Sequence, residues 1–230
     1  MTQDMTIEDK PAKWEETLRK IMTLIGRLAL GYLFFTQLWW KLPPTYGCGA
    51  DFAIKQEDGK GGYTKATGLC AWLGYESIFA KKEPREVLVA DLFYWSGTPI
   101  KKIAVDISPI AKLNGQVIDN FIAPNIRWFG TVIWFSELFI AISMILGVLT
   151  RLGGLVALGV SAQLFIGLAN IAIPGDYEWE WGYSLIVALS LLMIGLAPGR
   201  WLGFDALIRK ALLPAARQGK KLARLLLLPT

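Results

Sequence analysis

The chain has no histidine in its 230 residues, and only two cysteines. The first absence rules out bis-histidine haem ligation and leaves zinc and copper without their commonest ligand. Both cysteines, Cys48 and Cys70, lie outside the long apolar runs, which removes more of the usual redox equipment. No metal or haem site is expected. No GxGxxG or P-loop pattern occurs to cradle a dinucleotide or a phosphate chain. If such a chain takes part in electron transfer, it must use a diffusible carrier or a cofactor held by another subunit.

What the chain has instead is apolar length. Hydrophobic residues make up 53% of it and ten are tryptophans; the mean hydropathy is +0.40. This is the composition of an integral membrane protein. Leu18–Trp40, Phe129–Leu149, Leu152–Ile173 and Trp181–Ala197 each approach the ~20 residues that a spanning helix needs. The net charge of +5 does not point to nucleic acid, because the positions of the basic residues mark topology. Lys10, Lys13, Arg19 and Lys20 precede the first run, Arg151 joins the second and third, and Arg200, Arg209, Lys210, Arg217, Lys220, Lys221 and Arg224 follow the fourth. The link Pro174–Glu180 carries Asp176, Glu178 and Glu180 and no basic residue. The positive-inside rule then gives a multi-pass protein of the cell (inner or cytoplasmic) membrane with both termini cytoplasmic. The acidic stretch before the first run lacks a cleavage pattern, so that run reads as a signal anchor. Trp39, Trp40, Trp128, Trp179 and Trp181 fall at outer span ends, and Trp14 and Trp201 near inner ones, as headgroup belts do.

Residues 1–17 read as a cytoplasmic N-terminal segment, 18–205 as the membrane domain, and 206–230 as a basic amphipathic cytoplasmic tail. Such a tail suits either the leaflet surface or a partner subunit. Within the domain, 42–125 is an external insertion whose first part, Pro43 to Thr67, reads as irregular. Its apolar runs Leu69–Ala80 and Val87–Trp95 are too short to span and read as helices on the outer surface. Ser108 and Pro109 start an amphipathic helix that Pro124 ends. The expected fold is an all-α integral membrane protein, a four-transmembrane-helix bundle with a helical external segment between helices 1 and 2. An oxidising compartment would permit a Cys48–Cys70 bridge closing about twenty residues, worth about 3 kcal/mol. Two separate thiols are the alternative.

Few polar side chains interrupt the apolar runs: Arg27 and Gln37 in the first, Glu137 in the second, Gln163 and Asn170 in the third. Glu137 is the costliest, since a carboxylate at mid-bilayer costs about 3 kcal/mol unless it is protonated, paired or watered. At 1.5 Å per residue, Glu137 and Gln163 lie about 20 and 18 Å from the cytoplasmic side, in one layer. Gln37 and Asn170 share a second layer at roughly 25 to 28 Å, just below Lys41. Arg27 lies only about 10 Å in from Lys20, so a pair with Glu137 would need both side chains to reach, or a water between them. Glu137 is either a neutral acid bonded to a neighbouring helix or a proton-exchanging, catalytic group. Gln37, Gln163 and Asn170 either join helices through hydrogen bonds or, with Lys41, bind a quinone head group or a small external anion. Arg27 snorkels to the headgroups or clamps helix ends. Gly153, Ala157 and Ser161, four apart, give the third run a smooth face for close packing.

Arg27-Leu-Ala-Leu-Gly31 followed by Lys41, Pro124-Asn125 leading to Glu137, Gly147-Val-Leu-Thr-Arg151, Glu178-Trp-Glu-Trp181 and Gly199-Arg-Trp-Leu-Gly-Phe-Asp205 together resemble the DoxX/DoxD family. The likeness runs from Leu18 to Asp205 without most of the external segment. It implies a four-helix membrane bundle and, in the DoxD branch, the membrane subunit of a thiosulfate:quinone oxidoreductase. It puts Arg27, Lys41, Glu137 and Arg151 at the family's recurring charged positions, and implies quinone as the electron carrier. The lipid bilayer and other membrane-protein subunits are the expected partners. Two functions stand side by side: a subunit of quinone-linked electron transfer that oxidises a reduced sulfur compound, or a non-catalytic accessory subunit of a larger respiratory or photosynthetic membrane complex.

Overall fold

The computed structural model describes residues 12–54, 68–80, 85–168 and 178–230. Helix α1 (Lys13–Gln37) carries Glu15 and Glu16 in its first turn, where carboxylates suit the positive end of the helix dipole. The backbone N–H of Ala12 donates to Glu15 at 2.8 Å. The helix tightens into a short turn at Trp39–Lys41 and stops before Pro43 and Pro44, which cannot continue the hydrogen-bond ladder. Trp134 Nε1 donates to the Leu38 carbonyl at 3.2 Å, satisfying one acceptor that the helix end leaves open.

Helix α2 (Leu69–Ala80) has twelve residues and is too short to cross a bilayer. The Cys48–Cys70 disulfide ties its first turn to the segment after α1. Tyr46, Leu69, Cys70, Leu73, Ile118 and Ile126 bury one another around that tie.

The external segment is not all helical, contrary to expectation. Val87–Trp95 belongs to a strand, β1 (Glu86–Trp95), paired antiparallel with β2 (Thr98–Asp106). Its β-branched and aromatic residues favour a pleated surface. Ser96 and Gly97 supply the two-residue turn, with φ of 52° and 81°, and turns of that hand match the twist of the strands they join. Nor does Pro124 end the helix before the second apolar run. Helix α3 (Ser108–Val117) continues through a wide turn at Ile118–Ile122 and a tight one at Ala123–Asn125 into α4 (Ile126–Leu146). Pro124 falls at the start of the tight turn, where its missing N–H removes little.

Helices α5 (Thr150–Leu168), α6 (Glu178–Leu196), α7 (Phe204–Arg217) and α8 (Lys221–Leu226) complete the chain. Helix α1 packs on α4, α4 on α5, α5 on α6 and α6 on α1. Between them lies a core of Leu30, Phe34, Ile140, Ala141, Met144, Ala157 and Met193. Gly153, Ala157 and Ser161 are buried along α5, with Gly153 against Ser143 and Met144 of α4. The outer faces are apolar as well: Ile25, Tyr32, Phe135, Leu155, Leu185 and Leu192 are exposed, as lipid-facing side chains are. Among the described residues, Lys13–Lys41, Ser108–Leu146 and Thr150–Leu168 are long and apolar enough to cross a membrane, and Gly182–Leu196 is apolar and shorter. Beyond α7 and α8 the chain returns to α5, where the Pro229 carbonyl accepts from the backbone N–H groups of Arg151 at 3.1 Å and Leu152 at 3.4 Å.

Candidate functional site

A cavity of about 810 Å³ opens between α1, α2, α4, α5 and α6, within the range of small-molecule sites. Gln37, Lys41, Glu137 and Gln163 all line it, among apolar residues such as Phe34, Leu73, Phe129 and Ile186. Asn170, and the side chains of Glu178 to Trp181, lie outside the described residues.

Lys41 and Glu137 are joined. The turn after α1 swings Lys41 inward, so that its Nζ donates to Glu137 Oε1 at 2.5 Å. Both residues are buried, at 5% and 3% exposure. Glu137 therefore takes its countercharge from Lys41 and not from Arg27. The Lys41 ammonium also sits 4.4 Å from the centroid of the Trp40 ring, an attractive cation–π placement. Trp40 in turn donates from Nε1 to Gln37 Oε1 at 3.0 Å. Two oxygens of residues that line the cavity, Glu137 Oε2 and Ser161 Oγ, are buried without a hydrogen-bond partner among the described residues.

The far wall carries a residue that is not among the polar positions of the long apolar runs. Glu76, on α2, is 3% exposed and lines the same cavity. Its Oε2 accepts from Gln163 Nε2 of α5 and, at 3.5 Å, from Asn114 Nδ2 of α3. It lies directly over Gly167, where a Cβ would come within 2.5 Å of the carboxylate. Burial pushes the Glu76 carboxyl up to about 7, against the amide hydrogen bonds that favour its ionised form. The signal for it was in the sequence: Glu76 is the lone charge in the run Leu69–Ala80.

Arg27 and Arg151 are at the other end of the helices and do not line the cavity. Arg27 packs its guanidinium over Gly147 and Gly203, with Asp205 as the neighbouring opposite charge. Asp205, fully buried, accepts from Leu149 N at 2.6 Å, Thr150 N at 3.0 Å and Thr150 Oγ1 at 2.6 Å. It thereby satisfies the open N–H groups at the start of α5. Arg151 adds its backbone N–H to the contact with Pro229. Both arginines belong to a junction that fixes the helices.

Fold and site together define a mostly helical protein with membrane-length apolar helices and a polar-lined cavity at one end. Residues 105–226 match the family model described as TQO small subunit DoxD. The match covers more than half of the chain, which belongs to the DoxD family. Glu137 and Gln163 fall inside the matched region, and Gln37, Lys41 and Glu76 precede it. No curated protein and no solved structure matches the chain.

Proposed function

We propose that this chain is the membrane subunit of a thiosulfate:quinone oxidoreductase, and that its cavity receives a quinone head group while a reduced sulfur compound supplies the electrons. Helices α1, α4, α5 and α6 form a four-helix membrane bundle with both termini on the cytoplasmic side. The cavity, the hairpin and the Cys48–Cys70 bridge then face outward, where an oxidising compartment preserves the bridge.

The observation that carries this reading is the buried Lys41–Glu137 pair on the wall of a largely apolar cavity, where two buried oxygens of lining residues, Glu137 Oε2 and Ser161 Oγ, have no hydrogen-bond partner among the described residues. A few placed polar groups in an apolar cavity are what orient a small-molecule ligand. Reduction of a quinone to a quinol takes two electrons and two protons. Lys41 has three N–H donors and spends one on Glu137, which leaves donors for a head-group carbonyl. A fixed cation beside that carbonyl favours the negative charge that electrons bring. Glu137 holds Lys41 in place, and Trp40 and Trp72, with ring centroids 6.0 Å apart, offer flat apolar faces to a ring. The family description, a small subunit, supports a partner subunit in the membrane through which electrons arrive.

The test is purification of the full chain in mild detergent together with any subunit that stays bound to it. Retained quinone, and thiosulfate-driven reduction of a quinone analogue that Glu137→Gln abolishes, are expected. Isolation only with other subunits, with that assembly fully active after Glu137→Gln, overturns the reading in favour of an accessory role.

A further inference from the structure

We infer that Glu76 is the group through which the cavity exchanges protons with the aqueous side, while Lys41 holds Glu137 out of that role. The inference rests on the quinone reading above.

The two buried carboxylates of the cavity are set differently. Glu137 has an ammonium at 2.5 Å, so protonating it would strand Lys41 as a buried, unpaired cation. Glu76 takes its hydrogen bonds from neutral amides, Gln163 on α5 and Asn114 on α3, and among the described residues no ion pair ends on it. Tyr183 lines the cavity from α6, Arg85 donates to the Ile166 and Gly167 carbonyls, and Ser77 on α2 donates to Asp119 at 2.6 Å. Glu76 can therefore gain or lose a proton without breaking an ion pair among the described residues. Its carboxyl, raised to about 7, populates both forms near neutral pH, which is what a proton-transfer group needs.

Position completes the case. Helix α2 does not span the bilayer, and Asn114, bonded to Glu76, is only half-buried. Glu76 thus stands between the cavity and the α2–α3 surface. Each quinone reduced to quinol takes two electrons from the sulfur donor and two protons. Glu76 gives one proton from its carboxyl, remains as a carboxylate held by the Gln163 and Asn114 amides, regains a proton from water on the α2–α3 side, and gives the second.

The experiment uses the full chain in detergent, with any subunit that co-purifies with it, as wild type, Glu76→Gln, Glu76→Asp and Glu137→Gln, and two readouts. By infrared titration, the wild type should show a carboxyl band that vanishes as pH rises through about 7, absent from Glu76→Gln and kept in Glu137→Gln. No such band in the wild type, or its survival in Glu76→Gln, overturns the inference. In turnover with thiosulfate and a short-chain quinone analogue, Glu76→Gln should fall about a hundredfold in kcat with KM for the analogue little changed. Glu76→Asp should keep activity with a displaced pH profile. Wild-type kcat and pH profile in Glu76→Gln overturn the inference as well. If the wild type neither binds nor reduces the analogue, the quinone reading fails by itself and the infrared titration alone judges Glu76.

Discussion

Lys41 Nζ lies 2.5 Å from Glu137 Oε1, although the two residues are 96 positions apart in the chain. Each is too costly to bury alone. A charge in a low-dielectric interior must be paired or hydrogen-bonded, and the attraction between the pair offsets desolvation only while both partners stay. The bond also joins the end of α1 to the middle of α4, so it fixes one wall of the cavity. Glu137 gives one oxygen to Lys41; the other is buried and unpartnered among the described residues, in a side chain that lines the cavity.

Removing either partner should therefore cost more than removing both. Lys41→Met or Glu137→Gln alone is expected to lower stability by about 3 kcal/mol, because each leaves a buried group unmatched. The double variant should regain most of that loss while failing to retain a quinone analogue. Thermal unfolding of all four forms in detergent reads the coupling. Strictly additive losses would show that the two groups do not depend on each other.

Stability should also depend on pH through Glu76. Its carboxyl is raised in the folded protein to about 7 from an ordinary value of 4.5. Between those values the unfolded chain has lost the proton that the folded one keeps. The contribution is thus fully present below about 4.5 and is lost as pH rises through about 7. The loss is on the order of 3 kcal/mol. Glu76→Gln should match the wild type at acid pH and unfold at a higher temperature than it at pH 8. An identical pH dependence in the two proteins would mean that another group sets it.

Much of the cavity was legible in the sequence, because a polar side chain in an apolar run is visible without a structure. Gln37, Glu137 and Gln163 stand out in this way, and counting at 1.5 Å per residue puts Glu137 and Gln163 at similar depths. The same counting sets Lys41 in a separate outer layer. It cannot see that the turn at Trp39–Lys41 bends the chain back and points the ammonium at α4. Glu76 escapes because its run is too short to span and reads as a surface helix, whereas α2 lies against α5. Val87–Trp95 misleads for another reason: a short apolar run has no periodicity to separate helix from strand, and the turn at Ser96-Gly97 is what decides it. Asp205 capping α5 is a long-range relation that spacing alone does not carry.

The junction around Asp205 should prove the most sensitive part of the molecule outside the cavity. Asp205→Ala removes three hydrogen bonds to Leu149 and Thr150 and leaves buried donors unmet, an expected cost of about 3 kcal/mol. Gly147 has φ of 68°, and a Cβ there would lie 2.2 Å from Arg27 Nη1. Gly147→Ala should thus be destabilising through strain and collision together, by more than about 1 kcal/mol. The two changes meet at one junction, so the double variant should lose less than the sum. Folded yield from membranes and unfolding temperature measure all three.

Two glycines of α5 separate a packing effect from a cavity effect. Gly159 lines the cavity, and a Cβ added there meets nothing within 4 Å. Gly159→Ala should leave stability unchanged or raise it by a few tenths of a kcal/mol through helix propensity. At Gly167 an added Cβ would stand 2.5 Å from Glu76 Oε2 and 2.7 Å from its Cδ, so the carboxylate must leave its place. That movement draws Glu76 away from Gln163 and loosens α2 on α5, at an expected cost of 1–3 kcal/mol, of order typical for overpacking. Gly167→Ala should also flatten the pH dependence assigned to Glu76, since a displaced carboxyl is better solvated and titrates nearer its ordinary range. A Gly167→Ala protein with wild-type stability and an unchanged pH response would mean that α2 does not hold Glu76 against α5 in the working protein.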